Sequence, residues 1–297
     1  MRKSSTYPPL SLAVIASLTP AHWEVKILDE TIKPFEFEEA DLVGFTSFTS
    51  TASRAYELAA IYREHHIHTV MVGIHASMLP GEVSRFVDTV VSGEAESVWG
   101  GLISDFESNA ILSLYKGELK ELGGYPVPHH ELLSEEYLFS VIQSARGCPM
   151  KCDFCSVSSF NGSQYRLRPV EEVLDELEKL PKKLVFFFDD NIIGYGKKSQ
   201  ERAITLFKGI VERGINIEWI GQASLNFADN GEVLKWAARS GCRMVLIGIE
   251  SEKPDQLKEA GKKMNLKNGG GCLCESFKEN TPLWNQCFGS LLFRPRQ

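Results

Sequence analysis

The chain is predicted to be an α/β protein built on two successive sheets, because three features recur along it. β-rich runs alternate with amphipathic helical stretches over residues 1–122, a connection containing Gly123, Gly124, Pro126 and Pro128 spans 123–136, and a second strand–helix alternation fills 137–267. Residues 268–297 follow neither pattern. Strands separated by helices imply parallel sheets with helices on their faces. For the first half a doubly wound, Rossmann-like sheet is the economical arrangement.

The β-rich runs of the first half are residues 24–28, 42–45, 69–72 and 89–91, and Ala52, Tyr56, Leu58, Ala59 and Tyr62 recur at helical spacing between the second and third. His65, His66 and His68 end that helix, where cationic side chains oppose its dipole. They read as caps rather than as a metal site. Sheets of this kind bind ligands at the carboxyl ends of their strands. The turns Gly44-Phe45-Thr46-Ser47, Gly73-Ile74-His75-Ala76-Ser77 and Ser92-Gly93-Glu94-Ala95-Glu96 fall at those ends, with small residues that let backbone approach a ligand.

In the second half, residues 139–144 form a strand that leads straight into a cysteine loop, and residues 170–180 form an amphipathic helix after Pro169. The apolar run 184–188 reads as a buried strand that ends in Asp189-Asp190-Asn191. Then come a helix over 199–213, a strand over 216–221, a helix over 231–240, a strand over 244–249 that ends in Glu250-Ser251, and a helix over 254–267. Arg166 and Arg168 read as a solvated face unless a carboxylate pairs with them, and Cys242 as a small packed hydrophobe.

Cys148, Cys152 and Cys155 stand in Arg-Gly-Cys-Pro-Met-Lys-Cys-Asp-Phe-Cys. Three thiolates at this spacing can hold three corners of a four-iron cluster and leave one iron open. Thiolate sites select zinc, copper(I) or iron–sulfur clusters, and structural zinc asks for four ligands in paired knuckles. A fourth thiol would have to come from Cys242, Cys272, Cys274 or Cys287. A zinc loop and plain reduced thiols are the alternatives.

The formal net charge of -7, with acidic and basic residues interspersed, excludes a nucleic-acid-binding tail. No apolar run approaches a bilayer span and no signal-peptide pattern opens the chain, so a cytoplasmic, non-membrane-spanning protein is expected. Seven cysteines, an odd number with three closely spaced, suit a reducing setting better than a disulfide framework.

The cysteine string, with Arg146-Gly147 before it and Phe154 beside its last thiol, resembles the signature of the radical S-adenosylmethionine (radical SAM) superfamily. Residues 7–122 resemble the cobalamin-binding domain that precedes the radical SAM domain in one large subgroup. The matching pieces are Tyr7-Pro8-Pro9-Leu10-Ser11-Leu12, Ala40-Asp41-Leu42-Val43-Gly44, Gly73 through Pro80, and Gly93-Glu94-Ala95-Glu96. The resemblance implies a partial (β/α) TIM-like barrel for the second half. It also implies a 4Fe-4S cluster on Cys148, Cys152 and Cys155, and SAM contacts at Phe154, Asp189, Asp190, Asn191 and Glu250. It further implies cobalamin near Thr46, Ser47, Gly73, His75, Gly93 and Glu94. The DxHxxG string that supplies a cobalt-ligating histidine in other corrinoid proteins is absent, and His75 stands as the substitute contact. No residue is assigned as a catalytic acid or base.

By the same resemblance the activity is reductive cleavage of SAM to a 5'-deoxyadenosyl radical, with cobalamin-dependent methyl transfer to an unactivated carbon of a small-molecule or lipid-like substrate. A flavodoxin or ferredoxin would be the electron donor. The alternatives are a cyclase or rearrangement enzyme, a methylthiotransferase, or an inactive fragment that binds a cluster without turnover. The family carries a strand ahead of the Pro8-Pro9 turn and further barrel units beyond the fourth, so the chain is expected to be truncated at both ends, with a frameshifted tail from 268 and an incomplete barrel.

Overall fold

The computed structural model describes residues 6–251 and 253–266. The expectations for residues 2–5, for the tail from 268, and for Cys272, Cys274 and Cys287 lie outside the described residues. The chain divides into two compact units, Met1–Lys120 with Gly124–Glu136, and Glu121–Gly123 with Tyr137–Gln297. Residues 124–136, read above as a connection, group with the first unit, where the His129 N–H donates to the Ala13 carbonyl at 3.1 Å.

The first unit runs α1 (Leu10–Leu18), β1 (Leu42–Thr46), α2 (Ala52–Glu64), β2 (His68–Val72), α3 (Ile74–Met78), α4 (Pro80–Val83), β3 (Thr89–Ser92), α5 (Trp99–Glu107) and β4 (Leu114–Lys116). The strands are all parallel in the order β1-β2-β3-β4, with Leu42 opposite His68, Val70 opposite Thr89 and Val90 opposite Leu114. Successive strand residues point to opposite faces, and both faces are covered. Val70, Val72 and Val91 pack with Trp99, Leu102 and Ile103 of α5, while Met71 and Val90 pack with Ala55 and Ala59 of α2 and with Val83. A parallel sheet buried on both faces explains why its strands read as nearly unbroken apolar runs.

Residues 24–28 belong to no strand, contrary to the expectation. Val25 and Ile27 are half-buried while Glu24, Lys26 and Leu28 are exposed. The alternation is therefore real, but a strand also needs a neighbour to complete its ladder. Among the described residues the sheet ends at β1. The histidine group is also divided: His65 caps α2, His66 takes a left-handed φ of 61°, and His68 begins β2 with its ring on the Thr89 hydroxyl at 3.0 Å.

The second unit runs β5 (Ser140–Ile142), β6 (Ala145–Arg146), α6 (Val157–Phe160), β7 (Arg166–Leu167), α7 (Val170–Leu177), β8 (Leu184–Phe187), α8 (Lys197–Glu212), β9 (Glu218–Ala223), α9 (Gly231–Arg239), β10 (Cys242–Ile247), α10 (Pro254–Glu259) and α11 (Lys263–Leu266). The main sheet is parallel in the order β10-β9-β8-β5, so consecutive strand–helix units lie side by side. Its core centres on Trp219, which stacks on Phe207 at 5.1 Å, meets Phe187 edge-on at 5.5 Å, and donates to the Ser240 hydroxyl at 3.0 Å. Burying such aromatics contributes beyond area alone through ring geometry. Cys242 lies in this core. The expected single strand over 139–144 ends early, and the chain turns into the antiparallel pair β6–β7, with Ala145 opposite Leu167 and Arg146 opposite Arg166. No helix among the described residues is long and apolar enough to cross a membrane.

Candidate functional site

The cysteine loop leaves β6 and returns through β7, so the short antiparallel pair closes its neck. Gly147 opens the loop at φ +87°, and a Cβ there would stand 2.1 Å from the Gln164 carbonyl oxygen. Only glycine satisfies both the left-handed φ and that contact. Further along, the Cys148 N–H donates to the Gly162 carbonyl at 3.4 Å, the Cys155 N–H to the Cys152 carbonyl at 3.0 Å, and the Asp153 N–H to the Ala260 carbonyl at 3.2 Å.

Two carboxylates at the end of β8 hold this loop from below. Asp189 is fully buried and accepts from the Ser144 N–H at 2.6 Å, the Ser144 hydroxyl at 2.5 Å and the Ala145 N–H at 3.0 Å. Arg202 braces the same turn, donating to the Ser144 hydroxyl at 3.0 Å and to the carbonyls of Ser144 and Arg168 at 3.1 and 2.9 Å. Asp190, half-buried, accepts from the Gly147 N–H and the Asn161 amide, both at 3.0 Å. Burial pushes both carboxyl groups above the ordinary aspartate value, opposed by these hydrogen bonds.

Asn191 is also committed inside. Its side-chain oxygen accepts from the N–H groups of Ile193 and Gly194 at 3.2 and 3.1 Å, its amide nitrogen donates to the Ser224 hydroxyl at 3.1 Å, and its carbonyl accepts from Tyr165 at 2.6 Å. Of the Asp189-Asp190-Asn191 triplet, only Asp190 is left partly open. Arg166 and Arg168 form no solvated face: Arg166 is buried, and Arg168 pairs at 2.7 Å with Glu176, whose exposure is 0%. The helical period of α7 places Glu176 beside Val173, Leu174 and Leu177 on its buried side, which only the packed helix reveals.

The three thiols are free, Cys152 buried and Cys148 and Cys155 half-exposed. Burial raises the Cys152 pKa, the nearby Lys262 ammonium opposes that rise, and the charges of Cys155 and Cys148 add to it. The triplet thus shares one electrostatic neighbourhood. Among the described residues no three His, Cys, Asp or Glu side chains form a cage for a single metal ion. A mononuclear zinc site draws each thiolate to about 2.3 Å of one point, whereas a four-iron cluster takes cysteine thiolates on separate irons. Three cysteine side chains on one loop are the donor type that such a cluster takes.

Beside them lies a second charged group, in which Lys262 joins Glu250 and Phe154, the two residues already singled out in the sequence. Glu250, at the end of β10, holds a left-handed φ of 65°, rare for a residue with a Cβ. Its carboxylate accepts from Lys262 at 3.1 Å, and the Lys262 ammonium stands 5.7 Å over the Phe154 ring. Phe154 is 57% exposed while Lys262 is 14% exposed. Lys262, Tyr195, Ser224 and Arg202 were missed because they sit on loops or helix faces outside any motif. Tyr195 places its hydroxyl 3.3 Å from Cys148 Sγ and 3.1 Å from Ser224 Oγ, and burial with the Cys148 contact pushes its pKa up to about 12.

In the first unit the three turns meet at the carboxyl edge of the sheet. The His75 N–H donates to the Ser47 carbonyl at 3.3 Å, and the Gly93 N–H to the Ser77 hydroxyl at 2.9 Å. Gly73 and Gly93 both have φ +95°, and a Cβ would stand 2.7 Å from Thr46 Oγ1 at the first and 2.2 Å from the Gly117 carbonyl oxygen at the second. Ser47 and Glu94 are buried. His75 is 1% exposed, with Nε2 on the Tyr56 hydroxyl at 2.7 Å and Nδ1 on the Thr49 hydroxyl at 3.2 Å. Both ring nitrogens are therefore engaged by the protein itself.

The radical SAM superfamily model matches residues 142–269, and the B12-binding domain model matches residues 4–103. The chain thus carries a radical SAM domain. A B12-binding domain precedes its radical SAM domain. Bacteriochlorophyllide d C-12(1)-methyltransferase of Chlorobaculum tepidum is 34% identical over 274 residues, covering 86% of this chain and 59% of that protein. Bacteriochlorophyllide d C-8(2)-methyltransferase of the same organism is 28% identical over 276 residues, covering 85% and 60%. The chain thus spans about three fifths of the length of these two curated relatives. Among solved structures, the radical SAM methyltransferase TsrM from Kitasatospora setae superposes with a TM-score of 0.75 at 18% identity, over 95% of this chain and 64% of that one. TsrM has also been solved with cobalamin and a [4Fe-4S] cluster bound. The fold is therefore that of a cobalamin-type radical SAM protein, a doubly wound domain followed by a partial (β/α) barrel.

Proposed function

We propose that the protein is a cobalamin-dependent radical SAM methyltransferase that transfers a methyl group to an unactivated carbon of a small-molecule or lipid-like substrate. The observation that carries this reading is the free Cys148, Cys152 and Cys155 triplet, held by Asp190 and the β6–β7 neck at the carboxyl end of a parallel sheet. Support for methyl transfer comes from the two Chlorobaculum tepidum relatives, which are methyltransferases. When bound, the iron–sulfur cluster supplies the electron that breaks a carbon–sulfur bond of SAM, and the corrinoid carries the methyl group.

The chain's own residues would bind and orient. Cys148, Cys152 and Cys155 would hold the cluster. Asp190, with Gly147 and Asn161 already on its carboxylate, would offer its remaining lone pairs to the SAM amino group. Lys262 would take the SAM carboxylate and release Glu250, its present ion-pair partner, to accept from ribose hydroxyls. Phe154 would present its exposed face beside them. Asp189 and Asn191, committed to internal partners, would shape the site rather than touch SAM. In the B12-binding domain Thr46, Ser47, Gly73, Gly93 and Glu94 would border the corrinoid, with His75 locked behind them as a positioning residue. A flavodoxin or ferredoxin as electron donor and a cytoplasmic setting complete the reading.

The test is anaerobic reconstitution of the full chain with iron and sulfide, reduction with dithionite, and assay of 5'-deoxyadenosine from SAM. A variant with Cys148→Ala, Cys152→Ala and Cys155→Ala serves as control. Deoxyadenosine made by the unmutated protein alone supports the reading. Failure to take up iron, or equal product from the control, overturns it.

A further inference from the structure

We infer that Tyr195 is a positioning residue that donates a hydrogen bond to Cys148 Sγ and thereby sets the reduction potential of the cluster that Cys148 would hold. The inference rests on the cluster reading above, but its evidence is a separate chain of contacts.

The direction of each hydrogen bond in that chain follows from its far end. Asn191 Oδ1 accepts from two backbone N–H groups, those of Ile193 and Gly194, which turns the amide nitrogen toward Ser224. The Asn191 amide therefore donates to Ser224 Oγ, and the Ser224 hydroxyl spends its own proton on Tyr195 Oη at 3.1 Å. Tyr195 Oη is then an acceptor from Ser224, and its one proton is free to point at Cys148 Sγ, 3.3 Å away. Hydrogen bonds polarise one another along such a chain, so the last donor is strengthened by those before it.

The backbone around Tyr195 is built to hold that aim. Gly194 and Gly196 flank it at φ +59° and +82°, and a Cβ on Gly194 would stand 2.2 Å from the Tyr165 ring. The Asn226 amide pins the Gly194 carbonyl at 3.0 Å. Gly194 closes a turn by donating its N–H to the Asn191 carbonyl at 3.3 Å, and Gly196 is the N-cap of α8, so both ends of this short segment are anchored. Together they place a phenol against one cysteine and not against the other two. Hydrogen bonds to the ligating sulfurs are one of the protein's levers on cluster potential. A donor stabilises the more negative, reduced state, so Tyr195 would raise the midpoint.

The experiment is an anaerobic redox titration of the reconstituted full chain, followed by electron paramagnetic resonance of the reduced cluster. Tyr195→Phe removes one oxygen atom. It should keep full iron and sulfide content and shift the midpoint to lower potential, with roughly tenfold less reduced cluster at a fixed poise, about 59 mV for a one-electron couple. Ser224→Ala leaves the phenol in place but removes its donor, and should shift the midpoint the same way by less. If Tyr195→Phe cannot hold a cluster, Ser224→Ala decides. Unchanged midpoints in variants with full clusters overturn the role of Tyr195. A wild-type chain that takes up no iron overturns the cluster reading itself.

Discussion

Asp189 at the end of β8 grips Ser144, taking its N–H at 2.6 Å and its hydroxyl at 2.5 Å, and so bends the chain from β5 into the hairpin that closes the cysteine loop. A fully buried carboxylate is tolerated there because Ser144, Ala145 and the nearby Arg202 charge compensate its lost hydration. Asp189→Ala would leave these donors facing an apolar gap. At about 1–3 kcal/mol for each unsatisfied group, it should lower urea stability by about 3 kcal/mol or more and release the loop to proteolysis at residues 147–165.

Gly147→Ala combines a forbidden φ with a 2.1 Å clash against backbone. The neighbour is a carbonyl that cannot rotate away, so the loop entry must move. Iron uptake by the variant should fall severalfold, while the far-UV circular dichroism stays that of the wild type. Normal uptake would show that the loop tolerates the shift.

Glu176 and Arg168 form a buried ion pair at 2.7 Å between α7 and the start of the segment that follows β7. Removing Glu176 leaves the Arg168 guanidinium with the Gln143 carbonyl at 2.9 Å but no counter-charge, at a cost of up to about 3 kcal/mol. Glu176→Ala should therefore lower the urea midpoint far more than Asp175→Ala on the exposed face of the same helix, whose pair with Arg213 is solvated.

Asp190 predicts a pH dependence. Burial raises its folded pKa above the ordinary 3.8. A carboxyl with a raised folded pKa favours folding in its protonated form, so its contribution is fully present below pH 3.8 and is lost as pH rises through the folded pKa. Asp190→Asn keeps an acceptor oxygen for the Gly147 N–H and carries no charge. The stability of Asp190→Asn relative to wild type should be greatest near pH 7 and shrink as the pH falls toward 3.8. Urea midpoints of both proteins across that window check it, and a gap that widens on acidification would contradict it.

The sequence by itself determined the elements whose signals are local. The apolar runs became β1, β2, β3 and β8, the spacing of Cys148, Cys152 and Cys155 identified the loop, and Asp189-Asp190-Asn191 and Glu250 fell at strand ends as expected. Periodicity and spacing act over a few residues, so they survive in one dimension. Tertiary structure alone decided which side chains remain open. His75, Asp189 and Asn191 looked like ligand contacts but are consumed by Thr49, Tyr56, Ser144 and Ser224, residues up to 45 positions away in the chain. It also brought Lys262 to Glu250 and Tyr195 to Cys148. Residues 24–28 failed as a strand for the same reason: a strand is a pairing, and whether a buried polar group or a backbone edge finds its partner depends on chain that arrives from elsewhere.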